Sequence, residues 1–210
     1  HHEQVAGHMA DAYFRIAHRP VATYTSCGPG SANIPIALAN AMMDDSAFLA
    51  ITGNVATNQF NRGTFQEVHR HYQADFPSTI RPYVKRSFQA VRPDMLPLMM
   101  HQAFTTMLTG RPGPVNVDVP YDVFLEEAEA EVPDPALWRE GIDTRSGASS
   151  EAVQRTLDEL LGARRPVILV GNGAALSEAG EEVRALAEAL NIPVAYSPLG
   201  IGVMDADHAL

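Results

Sequence analysis

Apolar residues recur along this chain in two periods, and stretches of the two alternate. Val5, Met9, Tyr13 and Ile16 stand at helical spacing, with Ala6, Ala10 and Ala17 beside them. They predict a helix over 3–18 with that face buried, ended by Arg19-Pro20. Residues 21–25 read as a short buried strand, and Ser26-Cys27-Gly28-Pro29-Gly30 as a tight turn. Ile34, Leu38 and Met42 predict a helix over 31–43, and residues 48–52 a second strand stopped by Gly53. Residues 54–82 are polar and irregular, and a loop that long inside a domain is usually functional. A short extended piece near Ser87-Phe88 follows. Leu96, Met99, Met100, Ala103, Phe104 and Met107 then predict a helix over 94–109. Residues 115–119 form a third strand, closed by Pro120.

Strands alternating with helices imply an α/β fold with a mostly parallel sheet. The pattern lapses over 125–150, where an acidic run, prolines and Ser-Gly-Ala-Ser-Ser read as an interdomain linker. It restarts with a helix over 151–161, a strand over 166–170, a helix over 177–190 and a strand over 192–196. The expected organisation is one domain over 1–124, the linker, and the start of a second, Rossmann-like α/β domain over 151–210. The chain begins His1-His2-Glu3, without Met, and reads as a piece of a longer protein.

Composition narrows the function more than the fold. With 210 residues, 46% hydrophobic and 19% charged, the chain can bury a sizeable core. A net charge of -10 argues against nucleic acid or an anionic membrane as the main partner. The single cysteine allows no internal disulfide, and a cytoplasmic setting is expected. No apolar run approaches the ~20 residues of a membrane helix.

Few residues carry chemistry when taken singly. Glu3 at a helix start complements the helix dipole. Cys27 has no Cys–His arrangement and reads as a small buried residue. His69 and His71 suggest a metal pair, but no further ligands stand at the usual spacing, so no metal site is expected. Asp44-Asp45 reads as a solvated helix end. Gly171-Asn172-Gly173 follows a strand and opens a helix, the position where a nucleotide phosphate binds, without the third glycine of the dinucleotide fingerprint.

The order of the motifs says more than any one of them. His2-Glu3-Gln4, a helix ending in Arg-Pro, a strand, and then Ser26-Cys27-Gly28-Pro29-Gly30-Ser31-Ala32-Asn33 run without a break. Leu38-Ala39-Asn40-Ala41, Ile51-Thr52-Gly53, Thr64-Phe65-Gln66-Glu67, Lys85 and Gly110-Arg111-Pro112-Gly113-Pro114-Val115 continue the series. Over most of 1–124 this resembles the pyrimidine-binding domain of thiamine-diphosphate enzymes of the acetolactate synthase type. Residues 151–210 resemble the start of that family's central domain.

The resemblance implies a catalytic role for Glu3. The matching glutamate bonds the cofactor's pyrimidine nitrogen and drives the ring to its imino tautomer, which deprotonates the thiazolium carbon. That needs a poorly solvated carboxyl of raised proton affinity. Gly28, Pro29, Gly30 and Asn33 would wall the pyrimidine pocket. Phe65, Gln66 and Lys85 would face the substrate, although Phe65 reads equally well as packing and Lys85 as a surface charge. Gly171, Asn172 and Gly173 would lie where some members bind FAD and others an adenine nucleotide or nothing. Mg2+ is implied with ligands outside this chain, because no Gly-Asp-Gly followed by Asn-Asn occurs. The intact protein would decarboxylate a 2-oxo acid such as pyruvate and add the carbanion to an acceptor carbonyl, as a homodimer or tetramer. The 210-residue chain alone is expected to be inactive. Two alternatives remain open: another thiamine-diphosphate 2-oxo acid decarboxylase or lyase, and a non-catalytic flavin- or nucleotide-binding module.

Overall fold

The computed structural model describes residues 2–63, 65–67, 75–142 and 146–210; His69 and His71 lie outside them. The chain divides into two compact units, 1–144 and 145–210, so the boundary falls inside the predicted linker.

The first unit opens with α1, Glu3–Ala17. The ring of His2 caps it by accepting the Gln4 N–H, and His18 closes it in the left-handed conformation (φ 50) ahead of Arg19-Pro20. The helix is where the periodicity places it, but the opposite face is buried. Gly7, Ala10, Asp11 and Phe14 turn inward, while Met9 and Ile16 are 68% and 87% exposed. Packing distance is the reason. A Cβ on Gly7 would lie 2.5 Å from the Ala37 Cβ, so only glycine at this position lets the next long helix come this close. Asp11 can be buried because Arg15, Asn40 and the i,i+4 geometry of the helix satisfy its carboxylate.

β1 (Ala22–Thr25) leads through the glycine turn to α2 (Pro29–Ala32) and α3 (Pro35–Met43). One helix was expected here. Pro35 supplies no N–H to continue the turn before it, so the segment breaks in two. β2 (Leu49–Asn54) follows, then a 3-10 turn at Thr57–Gln59 and α4 (Phe76–Ile80), which begins on the Asp75 cap; the polar stretch is therefore not wholly irregular. β3 (Arg86–Gln89), α5 (Leu96–Leu108), β4 (Val115–Pro120), α6 (Tyr121–Leu125) and α7 (Ala136–Ile142) complete the unit. α7 forms within the predicted linker and packs on α5.

The four strands are all parallel, in the order β1-β2-β4-β3. Leu49 of β2 and Arg86 of β3 both stand opposite Val115, so the strands start at one edge of the sheet and end together at the other. One face packs Ala50 with Phe48, Ala10 of α1, Ile34, Leu38 and Ala41 of the α3 segment, and Phe76 and Ile80 of α4. β2 and β4 are covered on both sides, so nearly all their residues are buried, and the polar ones among them, Thr52, Asn54, Asn116 and Asp118, are hydrogen-bonded to one another.

The second unit holds α8 (Ser150–Gly162), β5 (Ile168–Val170), α9 (Asn172–Leu176), α10 (Gly180–Leu190) and β6 (Val194–Tyr196). β5 and β6 pair in parallel. Val170, Ala187, Ile192 and Met204 are its buried apolar residues.

Candidate cofactor-binding site

The site forms at the carboxyl ends of β1, β2 and β4, the edge at which open parallel sheets bind ligands. The turn after β1 is its centre. Ser31 is fully buried, and its hydroxyl serves the carbonyls of Ser26 (2.7 Å) and Gly53 (3.2 Å), tying the turn to the end of β2. Gly28 has φ 63, a conformation only glycine adopts without strain, and a Cβ on it would lie 2.6 Å from the Gln66 carbonyl oxygen. A Cβ on Gly30 would run into the Ser26 hydroxyl and reach 3.4 Å from a Glu3 carboxylate oxygen. The two glycines thus let the first turn of α1 approach from one side and the Gln66 loop from the other.

Glu3 sits in the first turn of α1, and the Asn33 amide donates to its Oε2 at 2.9 Å. That hydrogen bond, followed by Glu3's own backbone N–H, holds the carboxyl below its ordinary 4.5. The direction is opposite to the expected rise in proton affinity. The physical reason is that in this chain Glu3 is half-buried, so the hydrogen bonds to its charged form outweigh desolvation.

Beyond the turn lies a cavity of about 530 Å3. Ser26, Cys27, Gly53 and Asn54 line it together with Phe65, Gln66, Tyr121 and Phe124. Gln66 holds φ 68, unusual for a residue with a side chain, and its Oε1 accepts the Cys27 thiol at 3.4 Å. Phe65 is 89% exposed, so it is not a packing residue here. Phe65 and Gln66 are therefore brought to the glycine turn, with Gln66 against Gly28 and Cys27, while Glu3 and Asn33 meet the turn at Gly30. Lys85 is not brought there. It precedes β3, at the edge where the strands begin, and its backbone N–H pairs with Pro114. Its ammonium donates to the Thr109 carbonyl (2.8 Å), and burial pushes its pKa down.

Two carboxylates that sequence reasoning missed support this edge. Asp118 is fully buried on β4 and accepts from Thr52 (3.0 Å), Asn54 (2.7 Å) and Gln89 (2.9 Å). Burial pushes its pKa up to about 6 against these donors, with Asp75 adding to the rise. Asn54 in turn accepts the Val55 N–H, at the start of the loop that carries Phe65. Asp122 on α6 accepts the Thr57 amide and hydroxyl. Burial raises its pKa, but the bonds from Thr57 and from the amides of its own helix outweigh it and leave the carboxyl below the ordinary range. The signal for Asp118 was present: in Val-Asn-Val-Asp-Val, a strand covered on both faces, the polar positions must find partners inside.

In the second unit Gly171 is extended and α9 spans five residues. Ser197, in the turn after β6, lies beside Gly171, so the two strand ends share one edge. Among the described residues no group of three or more His, Cys, Asp or Glu could hold a metal ion, and no helix is long and apolar enough to cross a membrane.

Residues 1–74 match the family described as thiamine pyrophosphate enzyme, N-terminal TPP binding domain, and residues 153–210 match its central domain. The chain is 34% identical, over its whole length, to a probable acetolactate synthase large subunit of Methanococcus aeolicus, of which it covers 34%. It is 34% identical to the acetolactate synthase large subunit of Buchnera aphidicola (99% of this chain, 35% of the relative). It is 33% identical to the acetolactate synthase isozyme 3 large subunit of Escherichia coli, with the same coverage. The chain spans about a third of the length of these relatives. With two of that family's domains matched in order on one chain, this protein belongs to the thiamine pyrophosphate enzyme family.

Proposed function

We propose that the chain is the pyrimidine-binding and early central portion of an acetolactate synthase-type enzyme. The intact protein would decarboxylate a 2-oxo acid such as pyruvate and transfer the resulting carbanion to an acceptor carbonyl. The observation that carries this reading is the cradle of Gly28, Gly30, Asn33 and Glu3. Glycine at 28 and 30 lets Gln66, Ser26 and the Glu3 carboxylate close on the turn, with Asn33 holding that carboxylate, a set that fits the pyrimidine end of thiamine diphosphate.

Thiamine diphosphate, when bound, supplies the electron sink for decarboxylation. The residues of this chain would do the rest at its pyrimidine end. Gly28, Pro29 and Gly30 would form the wall against the ring. Glu3 would hold and pass a proton at the ring nitrogen, with Asn33 fixing the carboxylate's direction. Covering the half-exposed Glu3 would desolvate it and raise its proton affinity, as that transfer requires. Phe65 and Gln66 would meet the 2-oxo acid across the cavity. Lys85 would reach substrate only from the strand-start edge.

A homodimer or tetramer is supported by the exposed apolar stripe of Val5, Met9, Tyr13 and Ile16 on α1, the helix that carries Glu3. Mg2+ would be held by residues outside this chain. FAD or an adenine nucleotide at Gly171–Gly173 rests on family resemblance alone. A cytoplasmic setting rests on the single cysteine of the sequence.

The test is Glu3→Gln in the intact enzyme. Exchange of the cofactor's thiazolium C2 proton with deuterated solvent should slow by roughly 10²–10⁴-fold, the worth of a positioned acid–base group. The fold should survive and thiamine diphosphate should still bind. Wild-type exchange in a well-folded variant would remove Glu3 from the mechanism.

A further inference from the structure

The cavity has two walls that do not adjoin in sequence. One is α6, which presents Tyr121 and Phe124. The other is the segment after β2, which presents Val55, Ala56 and Gln59 and continues to Phe65 and Gln66. Asp122 joins them. Its two oxygens take the Thr57 N–H at 3.0 and 3.1 Å, and one takes the Thr57 hydroxyl at 2.5 Å. These bonds link residues 65 positions apart, and a carboxylate acceptor makes them stronger than neutral ones.

The segment beyond Thr57 is braced internally. The Glu67 carboxylate accepts the Asn61 N–H at 2.7 Å and the Gly63 N–H at 2.6 Å, closing the described part of the loop on itself. Its far end rests on the glycine turn through Gln66. Among the described residues the loop is held at the glycine turn, through Gln66, and at α6, through Thr57, and these contacts set where Phe65 and Gln66 stand over the cavity.

We propose that Asp122 and Thr57 form a clasp that sets the position of the Phe65–Gln66 loop across the cavity, making Asp122 a positioning residue for the 2-oxo acid. This rests on the functional reading above. Thr57 and Asp122 themselves touch neither Glu3 nor the glycine wall, so the clasp acts first on the substrate's side of the site.

Thr57→Val, Thr57→Ser and Asp122→Asn in the intact enzyme test it. With pyruvate as substrate, Thr57→Val and Asp122→Asn should raise KM roughly 5–20-fold, the loss expected when a charge-assisted hydrogen bond goes. kcat should stay within about threefold and thiamine-diphosphate affinity within about twofold, because uniform substrate binding is what is lost. Thr57→Ser keeps the hydroxyl and should behave as wild type. A second readout needs no catalysis. Arg62 is exposed in the loop, and tryptic cleavage of the Arg62–Gly63 bond, followed by mass spectrometry, should be faster in Thr57→Val and Asp122→Asn but not in Thr57→Ser. Unchanged KM with unchanged cleavage would overturn the clasp. So would an equal fall in cofactor affinity, or a Thr57→Ser variant as impaired as Thr57→Val. If the wild-type protein shows no thiamine-diphosphate-dependent turnover, the functional reading fails, and the cleavage comparison still decides whether the clasp exists.

Discussion

At the scale of single residues, the edge of the sheet is organised by carboxylates whose surroundings differ. Glu3 is half-buried and hydrogen-bonded, and is held below its ordinary range. Asp118 is enclosed by neutral donors and is pushed up to about 6. The sign of the linkage follows. A carboxyl whose folded pKa exceeds the unfolded value near 3.8 contributes stability that is full below that value and is lost as pH rises through about 6. Asp118→Asn should remove this dependence. Its amide nitrogen can face Thr52, whose hydroxyl can turn to accept, while its oxygen keeps Asn54 and Gln89. Measured by denaturant unfolding, the variant should gain on wild type by on the order of 2–3 kcal/mol between about pH 4 and pH 7. Curves that run parallel across that range would show that Asp118 does not titrate there.

At the scale of elements, α1 separates period from orientation. Its apolar stripe is larger than its buried face, yet the buried face is Gly7, Ala10, Asp11 and Phe14. The close approach of Ile34 and Ala37 leaves no room for a side chain at position 7. Gly7→Ala should therefore destabilise the fold by about 1–3 kcal/mol through overpacking, although alanine is the better helix former. Met9→Ala, on the exposed stripe, should change the stability of this chain by less than about 0.5 kcal/mol. Thermal melts of the two variants decide the matter. A neutral Gly7→Ala beside a costly Met9→Ala would restore the face that periodicity predicts.

At the scale of the molecule, the chain is two units divided at 144/145, and an acidic stretch runs between α6 and α7 of the first. Residues 126–132 are exposed and carry no helix or strand, whereas α7 is helical and packs on α5. A glutamate-specific protease should therefore cut first after Glu126, Glu127, Glu129 or Glu131, sparing Glu151, Glu159 and Glu181 in α8 and α10. Mass spectra of early digests would show it. First cuts within α8 or α10 would mean that the second unit opens more readily than the acidic stretch of the first.

The alternation of strand and helix, the parallel sheet and the glycine turn were legible in the sequence, because each rests on local chemistry: period, proline, glycine. The likeness of Glu3, the turn and Phe65-Gln66 to one family was legible too, because their order along the chain is itself the motif, and the fold brings those residues to one edge. Lys85 belongs to the same series of motifs, yet the fold puts it at the other edge, since order along a chain does not say at which end of a strand a residue falls. Which face of α1 is buried depended on how close α3 comes, a distance no periodicity contains. The partnership of Thr57 with Asp122, and of Asp118 with Thr52, Asn54 and Gln89, was decided only by tertiary structure. Those bonds exist because parallel strands distant in sequence end side by side, and a carboxylate buried there must find its donors among whatever the neighbouring strands and loops supply.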